Sequence, residues 1–284
     1  MYRGFNLKHN INNKSSIYNK SNFESNRIFT AANTKIGRNL YETQKVNMRA
    51  KLKGYAISED IIDGAELESD WFPEVDAHIF ISHSHNDEDD ALALAGWLYS
   101  IFNIRSFIDS CVWGYADDLL YIIDKENCVS ERDRNGNIVT FNYQDRNRST
   151  SHVHMILATA LQKMIYKTEC LIFMNTPNSL SLTEVMKQEA TASPWIYNEL
   201  SFSKMVEKII PDRHRTGKAQ DSVLTESKRY QIAYKLTMDH LYDLDEGDLL
   251  LIKQRVAGKG PFRFLDELYT YSSIQNDPVG VKIK

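Results

Sequence analysis

A tryptophan and a glutamate stand four residues apart in the segment SPWIYNELSF, at Trp195 and Glu199. Ser193 followed by Pro194 predicts that a helix begins here, because serine is a favoured N-cap and proline is tolerated at the first helical position. Residues four apart share one face of a helix. An indole one turn from a carboxylate can stack on a base or a ribose while the carboxylate meets hydroxyl groups or a developing positive charge. The competing interpretation is a core tryptophan beside a solvent-facing glutamate.

A second group of polar residues follows the apolar run AHIFIS, which predicts a buried strand. The string His83-Ser84-His85-Asn86-Asp87 has the HxHxD form, and two histidines with a carboxylate suit a divalent cation. The string resembles the opening of the HxHxDH metal motif of the metallo-β-lactamase family, although Glu88 stands where that family has its last histidine. The alternative is a pair of loop histidines at the start of the next helix.

A third group follows the run IRSFID, which predicts another strand ending at Asp109. Trp113 and Gly114 come next, in the segment SCVWGYADD, which we interpret as a polar loop. Trp113 either packs back on the body or belongs to a lid whose ring stacks on a planar ligand.

The elements that must position these residues alternate along the chain as strand, helix, strand, loop, helix, strand and helix. This order predicts an α/β domain with a parallel sheet, whose ligand crevice lies at the carboxyl ends of the strands. We expect three such ends to line it, at Ser82-His83-Ser84, Asp109-Ser110 and Asn175-Thr176. Between the second and third strands, Asn135-Gly136 predicts a hairpin with a type I′ turn over residues 129–141, and Ser149 or Thr150 predicts the N-cap of a helix that runs to about Lys167.

Net charge is unevenly distributed along the 284 residues: it is +9 over residues 1–55 and −13 over the rest. Residues 1–34 show no persistent period, so we predict irregular structure there, and we predict a basic, Asn-rich extension over residues 1–72. Such an arm can bind nucleic acid, but a solvated extension is the preferred interpretation.

Three scattered cysteines and the absence of a long apolar run indicate a cytoplasmic protein without a membrane span. No GxGxxG, P-loop or GxSxG motif occurs, which argues against ordinary dehydrogenases, P-loop NTPases and α/β-hydrolases.

Taken in order, three of these motifs resemble those of the TIR (Toll/interleukin-1 receptor) domain family. The first strand reads AHIFISH, the second ends Phe107-Ile108-Asp109 and leads into a BB-type loop, and Ser193, Trp195 and Glu199 match the family's S-x-W-x-x-x-E helix. The resemblance covers residues 76–210 and is closest to bacterial TIR proteins of antiphage systems such as Thoeris. It implies a flavodoxin-like parallel sheet flanked by helices over residues 73–284. The hairpin, inserted at about residues 125–148, and the basic extension depart from the family pattern.

The resemblance implies an enzyme that cleaves the nicotinamide–ribose bond of NAD, with NAD as substrate and no cofactor or metal. Glu199 matches the family's catalytic glutamate. Trp195, Ser82, His83, Ser84, Asp109 and Trp113 are then the expected substrate-binding residues. The product can be ADP-ribose, a cyclic isomer or a conjugate, and the resemblance implies that it signals to a separate nucleotide-sensing effector in antiphage defence.

The resemblance also implies self-association through TIR contacts and a phage component as trigger. Two alternatives remain open at this stage. One is a non-catalytic TIR scaffold, which would not need Glu199 or Trp195, and the other is a metal-dependent hydrolase that uses the HxHxD string.

Overall fold

The computed structural model describes residues 1–9, 27–52, 64–72, 74–182, 189–214 and 234–275. The elements as far as the antiparallel hairpin are β1 (Arg3–Lys8), α1 (Ala31–Leu52), α2 (Gly64–Trp71), β2 (Ile79–Ser82), α3 (Glu88–Phe102), β3 (Ser106–Ile108), α4 (Ser110–Asn127), β4 (Val129–Arg132) and β5 (Ile138–Phe141). The remaining elements are α5 (Tyr143–Lys167), β6 (Cys170–Asn175), β7 (Ser181–Leu182), β8 (Glu189–Thr191), α6 (Pro194–Met205), β9 (Tyr234–Lys235), β10 (Leu241–Leu244), α7 (Glu246–Val256) and α8 (Pro261–Gln275). No helix within these described ranges is long and apolar enough to cross a membrane.

The chain divides into two compact units. The sheet unit comprises Met1–Leu40, Asp76–Ile108 and Ile165–Lys284, and the helical unit comprises Tyr41–Val75 and Asp109–Met164.

The sheet unit contains five parallel strands in the order β10-β1-β6-β2-β3. Strands β2 and β6 are buried on both faces, which explains why they appear in the sequence as unbroken apolar runs rather than as alternating patterns. Read from the β3 edge, the order is that of a flavodoxin-like sheet, with β2, β3 and β6 in the first, second and third strand positions. The predicted α/β class with a parallel sheet flanked by helices is therefore confirmed.

The fourth strand position is held by β1, and this corrects the prediction for the amino-terminal segment. Strand β1 pairs along its whole length with β6 and pairs with β10 on its other side. Phe5 and Leu7 have no exposed surface, and the Phe5 ring stacks on Tyr269 of α8. Residues 3–8 are thus a central strand of the sheet, and residues 31–34 begin α1, so neither segment is irregular. The sheet thus includes a strand from residues 1–72, the range that the sequence assigned to an extension.

Helix α1 packs against α3 through two glycines that let the backbones approach closely. A Cβ added to Gly37 would lie 1.9 Å from the carbonyl oxygen of Leu92, and one added to Gly96 would lie 2.0 Å from that of Asn33. The Arg38 guanidinium also pairs with Asp89 in the first turn of α3. The start of α1 is therefore a close-packed part of the sheet unit.

In the helical unit, α4 replaces the loop predicted after the second strand. The Asp109 side chain accepts a hydrogen bond from the backbone N–H of Ser110, and the helix continues through Trp113 and Gly114 to Asn127. Ala116 and Leu119, three residues apart, bury their side chains on one face of this helix. Trp113 thus stands in a helix and not in a loop, because helical burial and the cap outweigh the cost of Gly114.

The hairpin predicted over residues 129–141 is confirmed as β4 and β5, but its turn differs from the prediction. Gly136 has a φ of +84° while Asn135 lies outside the positive-φ region, so the turn is not type I′, which requires positive φ at both central residues. The Gly136 N–H bonds to the carbonyl of Asp133, which gives a three-residue loop.

Helix α5 begins at Tyr143, six residues before the predicted cap at Ser149. Ser149 is instead an interior residue of the helix, and its hydroxyl donates to the carboxylate of Asp124, which also pairs with Arg146. This network joins α5 to α4 within the helical unit. A buried serine with a carboxylate partner can occupy a helix interior, so its presence does not mark a helix start.

Candidate functional site

The site begins at the carboxyl end of β2. All four residues of this strand are buried, and the chain leaves the sheet at Ser82 and His83, which have no exposed surface. The neighbouring strand β6 ends at Asn175, on the other side of the point where the strand order reverses. This is the position at which open α/β sheets bind ligands.

Helix α6 supplies the second part of the site. The Ser193 hydroxyl accepts a hydrogen bond from the N–H of Ile196, and Pro194 occupies the first turn, as predicted from the sequence. The helix ends at Met205. Its buried face carries Glu199, which is fully buried.

The structure brings Ser82 and Glu199 together. The Ser82 hydroxyl donates a 2.6 Å hydrogen bond to Glu199 Oε2, with both side chains fully buried. A hydrogen bond to a carboxylate is stronger than one between neutral groups, and it holds the carboxylate in one orientation. The low local dielectric increases the attraction between such a carboxylate and a positive charge placed beside it.

Trp195 lies one turn before Glu199 on α6 and is half-buried. Ser84 is half-buried and extended. His83 is fully buried and His85 is exposed, so the two histidines of the HxHxD string differ sharply in exposure.

The metal interpretation of that string finds no support in the geometry. The Asp87 carboxylate, the last group of the string, accepts hydrogen bonds from Thr176 and Asn178. Within the described parts of the chain, no group of three or more His, Cys, Asp or Glu side chains is placed to hold a metal ion.

Asp109 and Trp113 belong to the helical unit, whereas Ser82, His83, Ser84, Trp195 and Glu199 belong to the sheet unit. The Asp109 carboxylate is buried and caps α4, a structural task that the sequence interpretation did not foresee. Trp113 lies on the same helix, four residues after Asp109.

Asp87, Thr176 and Asn178 are joined by hydrogen bonds between the loops that follow β2 and β6, and were not recognised as a unit from the sequence. Asp87 is 2% exposed, and Thr176 is equally buried. The only sequence signal for this contact is that each residue closely follows a buried strand whose carboxyl end lies at the same edge of the sheet.

The carboxyl half of α6 is fastened to the loop before β10. Ser203 Oγ lies 2.8 Å from His240 Nε2, and Lys204 Nζ pairs with Asp239 at 2.8 Å. Burial, reinforced by the charge of Lys208, lowers the pKa of His240 to about 4, so the imidazole is neutral at pH 7. These bonds fix the helix that carries Glu199.

No protein-family model, curated protein or solved structure matches this chain. Its function is therefore inferred from the residues of the crevice and from the fold that positions them.

Proposed function

We propose that this chain is a TIR-type enzyme that cleaves the bond between nicotinamide and ribose in NAD. The observation that carries the proposal is the hydrogen bond between Ser82 and Glu199, which joins two of the three motifs of the TIR resemblance at the switch point of the sheet. A flavodoxin-like strand order is the second support, although fold alone does not establish activity.

The chemistry assigned to Glu199 follows from charge. The nicotinamide ring of NAD carries a positive charge and becomes neutral nicotinamide when its bond to the ribose breaks. The leaving group therefore needs little help from an acid. The ribose then carries an oxocarbenium-like positive charge, as in glycoside hydrolysis. The Glu199 carboxylate stabilises this charge and accepts hydrogen bonds from ribose hydroxyl groups, while the Trp195 ring stacks on the nucleotide.

The proposal requires a rearrangement, because Glu199 has no exposed surface in this structure. A substrate hydroxyl can take the place of the Ser82 hydroxyl on Glu199 Oε2 only when the crevice opens. We propose that a phage component or self-association provides this opening in the cytoplasm, and that the ADP-ribose-derived product acts on a separate effector. Water, an internal hydroxyl or an added nucleophile decides whether the product is ADP-ribose, a cyclic isomer or a conjugate.

The test compares the wild type with Glu199→Gln in a bacterial host, with and without phage, by mass spectrometry of nicotinamide nucleotides. Glutamine retains an oxygen that accepts the Ser82 hydrogen bond, so we expect the fold to persist. Loss of the charge should slow NAD cleavage on the order of 10²–10³-fold, or about 3–4 kcal/mol. Glu207→Gln, an exposed position just beyond α6, is the matched control and should behave as wild type.

Equal NAD consumption by the wild type and Glu199→Gln would contradict the catalytic assignment. An NAD pool that stays constant while the wild type still protects cells would favour the non-catalytic scaffold instead.

A further inference from the structure

The loops that leave β2 and β6 are joined by one buried carboxylate. Asp87 lies in the short helical turn His85–Asp87, directly before α3, and is 2% exposed. Its Oδ2 accepts a hydrogen bond from the Thr176 hydroxyl, and its Oδ1 accepts one from Asn178 Nδ2 at 2.6 Å. Both donors lie in the loop that follows β6.

The loop after β6 has its own internal hydrogen bonds, so Asp87 fixes its position rather than its shape. Thr176 N–H donates to Ser179 Oγ at 2.8 Å, and the Ser179 hydroxyl is within 2.9 Å of the Met174 carbonyl. Thr176 Oγ1 also accepts from the N–H groups of Asn178 and Ser179, each at 3.1 Å. A loop that is already folded moves as one piece, and the Asp87 carboxylate ties that piece to the loop after β2.

Burying a carboxylate is costly unless hydrogen bonds compensate for the lost hydration. The Thr176 and Asn178 donors are neutral, so they hold the carboxylate without neutralising it. Two neutral side chains at this place would join the loops with a smaller desolvation penalty. The retained charge gives shorter and stronger bonds, and therefore a more rigid spacing between the two loops.

We propose that Asp87 is a positioning residue that sets the width of the crevice at the switch point, by tying the loop after β6 to the loop after β2. The loop after β2 begins one residue beyond Ser82, the partner of Glu199. The effect of Asp87 on turnover rests on the proposed NAD cleavage, whereas the tie between the loops does not.

The test uses a charge swap in the full-length chain. Asn178→Asp sets a second carboxylate against Asp87 and should push the loops apart. Adding Asp87→Asn restores a donor facing an acceptor, because the amide introduced at position 87 can accept from Thr176 and donate to the carboxylate introduced at position 178. Asn86→Asp is the matched control, since it adds the same charge at an exposed position next to Asp87.

Amide hydrogen exchange of peptides that cover residues 174–182 measures the tie directly. Exchange should accelerate in Asn178→Asp, return to the wild-type rate in the double variant and stay unchanged in Asn86→Asp. Wild-type exchange in Asn178→Asp would overturn the tie.

Kinetics well below the melting temperature measure the positioning role. The rate is measured in extracts of phage-infected cells. We expect kcat/KM for NAD to fall on the order of 10-fold in Asn178→Asp and to recover in the double variant, because a small displacement of catalytic groups lowers the rate by a large factor. If Asn178→Asp alters amide hydrogen exchange but leaves kcat and KM unchanged, Asp87 has only a structural role, and the positioning role is overturned. If the wild type fails to cleave NAD but exchange follows the swap, the proposed function fails while the tie between the loops stands.

Discussion

At the scale of single residues, the candidate site depends on two groups that lie 117 positions apart in the chain. The Ser82 hydroxyl at the carboxyl end of β2 meets the Glu199 carboxylate on the buried side of α6. Their contact holds the carboxylate in one orientation. The same holds for Asp87 and Thr176, whose bond spans 89 positions.

His240 gives a residue-scale prediction about pH. Because its pKa is lowered to about 4 in the folded chain, the unfolded chain binds a proton at pH values where the folded chain does not. The stability that depends on neutral His240 is therefore present above about pH 6.5 and is lost as the pH falls towards 4. Between pH 7 and pH 5 the loss should be about 2 kcal/mol.

Urea unfolding of the wild type and of His240→Asn at both pH values measures this effect. The variant should be less stable at pH 7, because its bond to Ser203 is altered, but its stability should fall less between pH 7 and pH 5. His152→Asn, at an exposed position on α5, should keep the wild-type pH dependence. Equal slopes for the wild type and His240→Asn would contradict the assignment.

At the scale of elements, the contact between α1 and α3 depends on the absence of side chains. The 1.9 Å and 2.0 Å distances at Gly37 and Gly96 leave no room for a methyl group against backbone carbonyls, which cannot rotate away. Alanine at either position should therefore separate the helices and lower the free energy of unfolding by about 3 kcal/mol, as in other overpacked contacts.

Urea midpoints of Gly37→Ala and Gly96→Ala, each compared with the wild type, test this packing. Gly64→Ala at the start of α2 is the control, because an added Cβ there meets no atom within 4 Å. It should leave stability unchanged or raise it by up to about 1 kcal/mol, through the higher helix propensity of alanine. If Gly37→Ala unfolds at the same urea concentration as Gly64→Ala, the close contact is absent in solution.

At the scale of the whole molecule, the amino-terminal strand decides whether the sheet unit can form. A solvated arm would tolerate substitution, whereas β1 pairs with a strand on each side and buries the Phe5 ring completely. Phe5→Ala should reduce the free energy of unfolding by about 3–5 kcal/mol. Thermal unfolding measured by circular dichroism would report this loss as a lower melting temperature.

Tyr143→Ala is the matched control for that experiment, because Tyr143 is an aromatic residue that is 77% exposed. It should change the melting temperature little. A wild-type melting temperature for Phe5→Ala would restore the interpretation of residues 1–8 as an extension.

The sequence by itself determined the elements whose signals are local. The apolar runs of β2 and β6, the N-cap at Ser193 with Pro194 behind it, and the hairpin around Gly136 depend on neighbours a few residues away, and all three predictions hold. The α/β class followed from their alternation. The NAD-cleaving function and the roles of the site residues stay predictions.

Only the tertiary structure decided the rest. The run RGFNLK is short and lies among polar residues, so nothing local marks it as a strand, and its pairing with β6 joins Arg3 to Cys170 across most of the chain. Similarly, the helical state of residues 110–127 depends on burial of Ala116 and Leu119, which the segment SCVWGYADD alone does not reveal. Strand pairing and side-chain burial are set by distant residues, and the contacts of Ser82 with Glu199 and of Asp87 with Thr176 arise only once the parallel strands align their carboxyl ends.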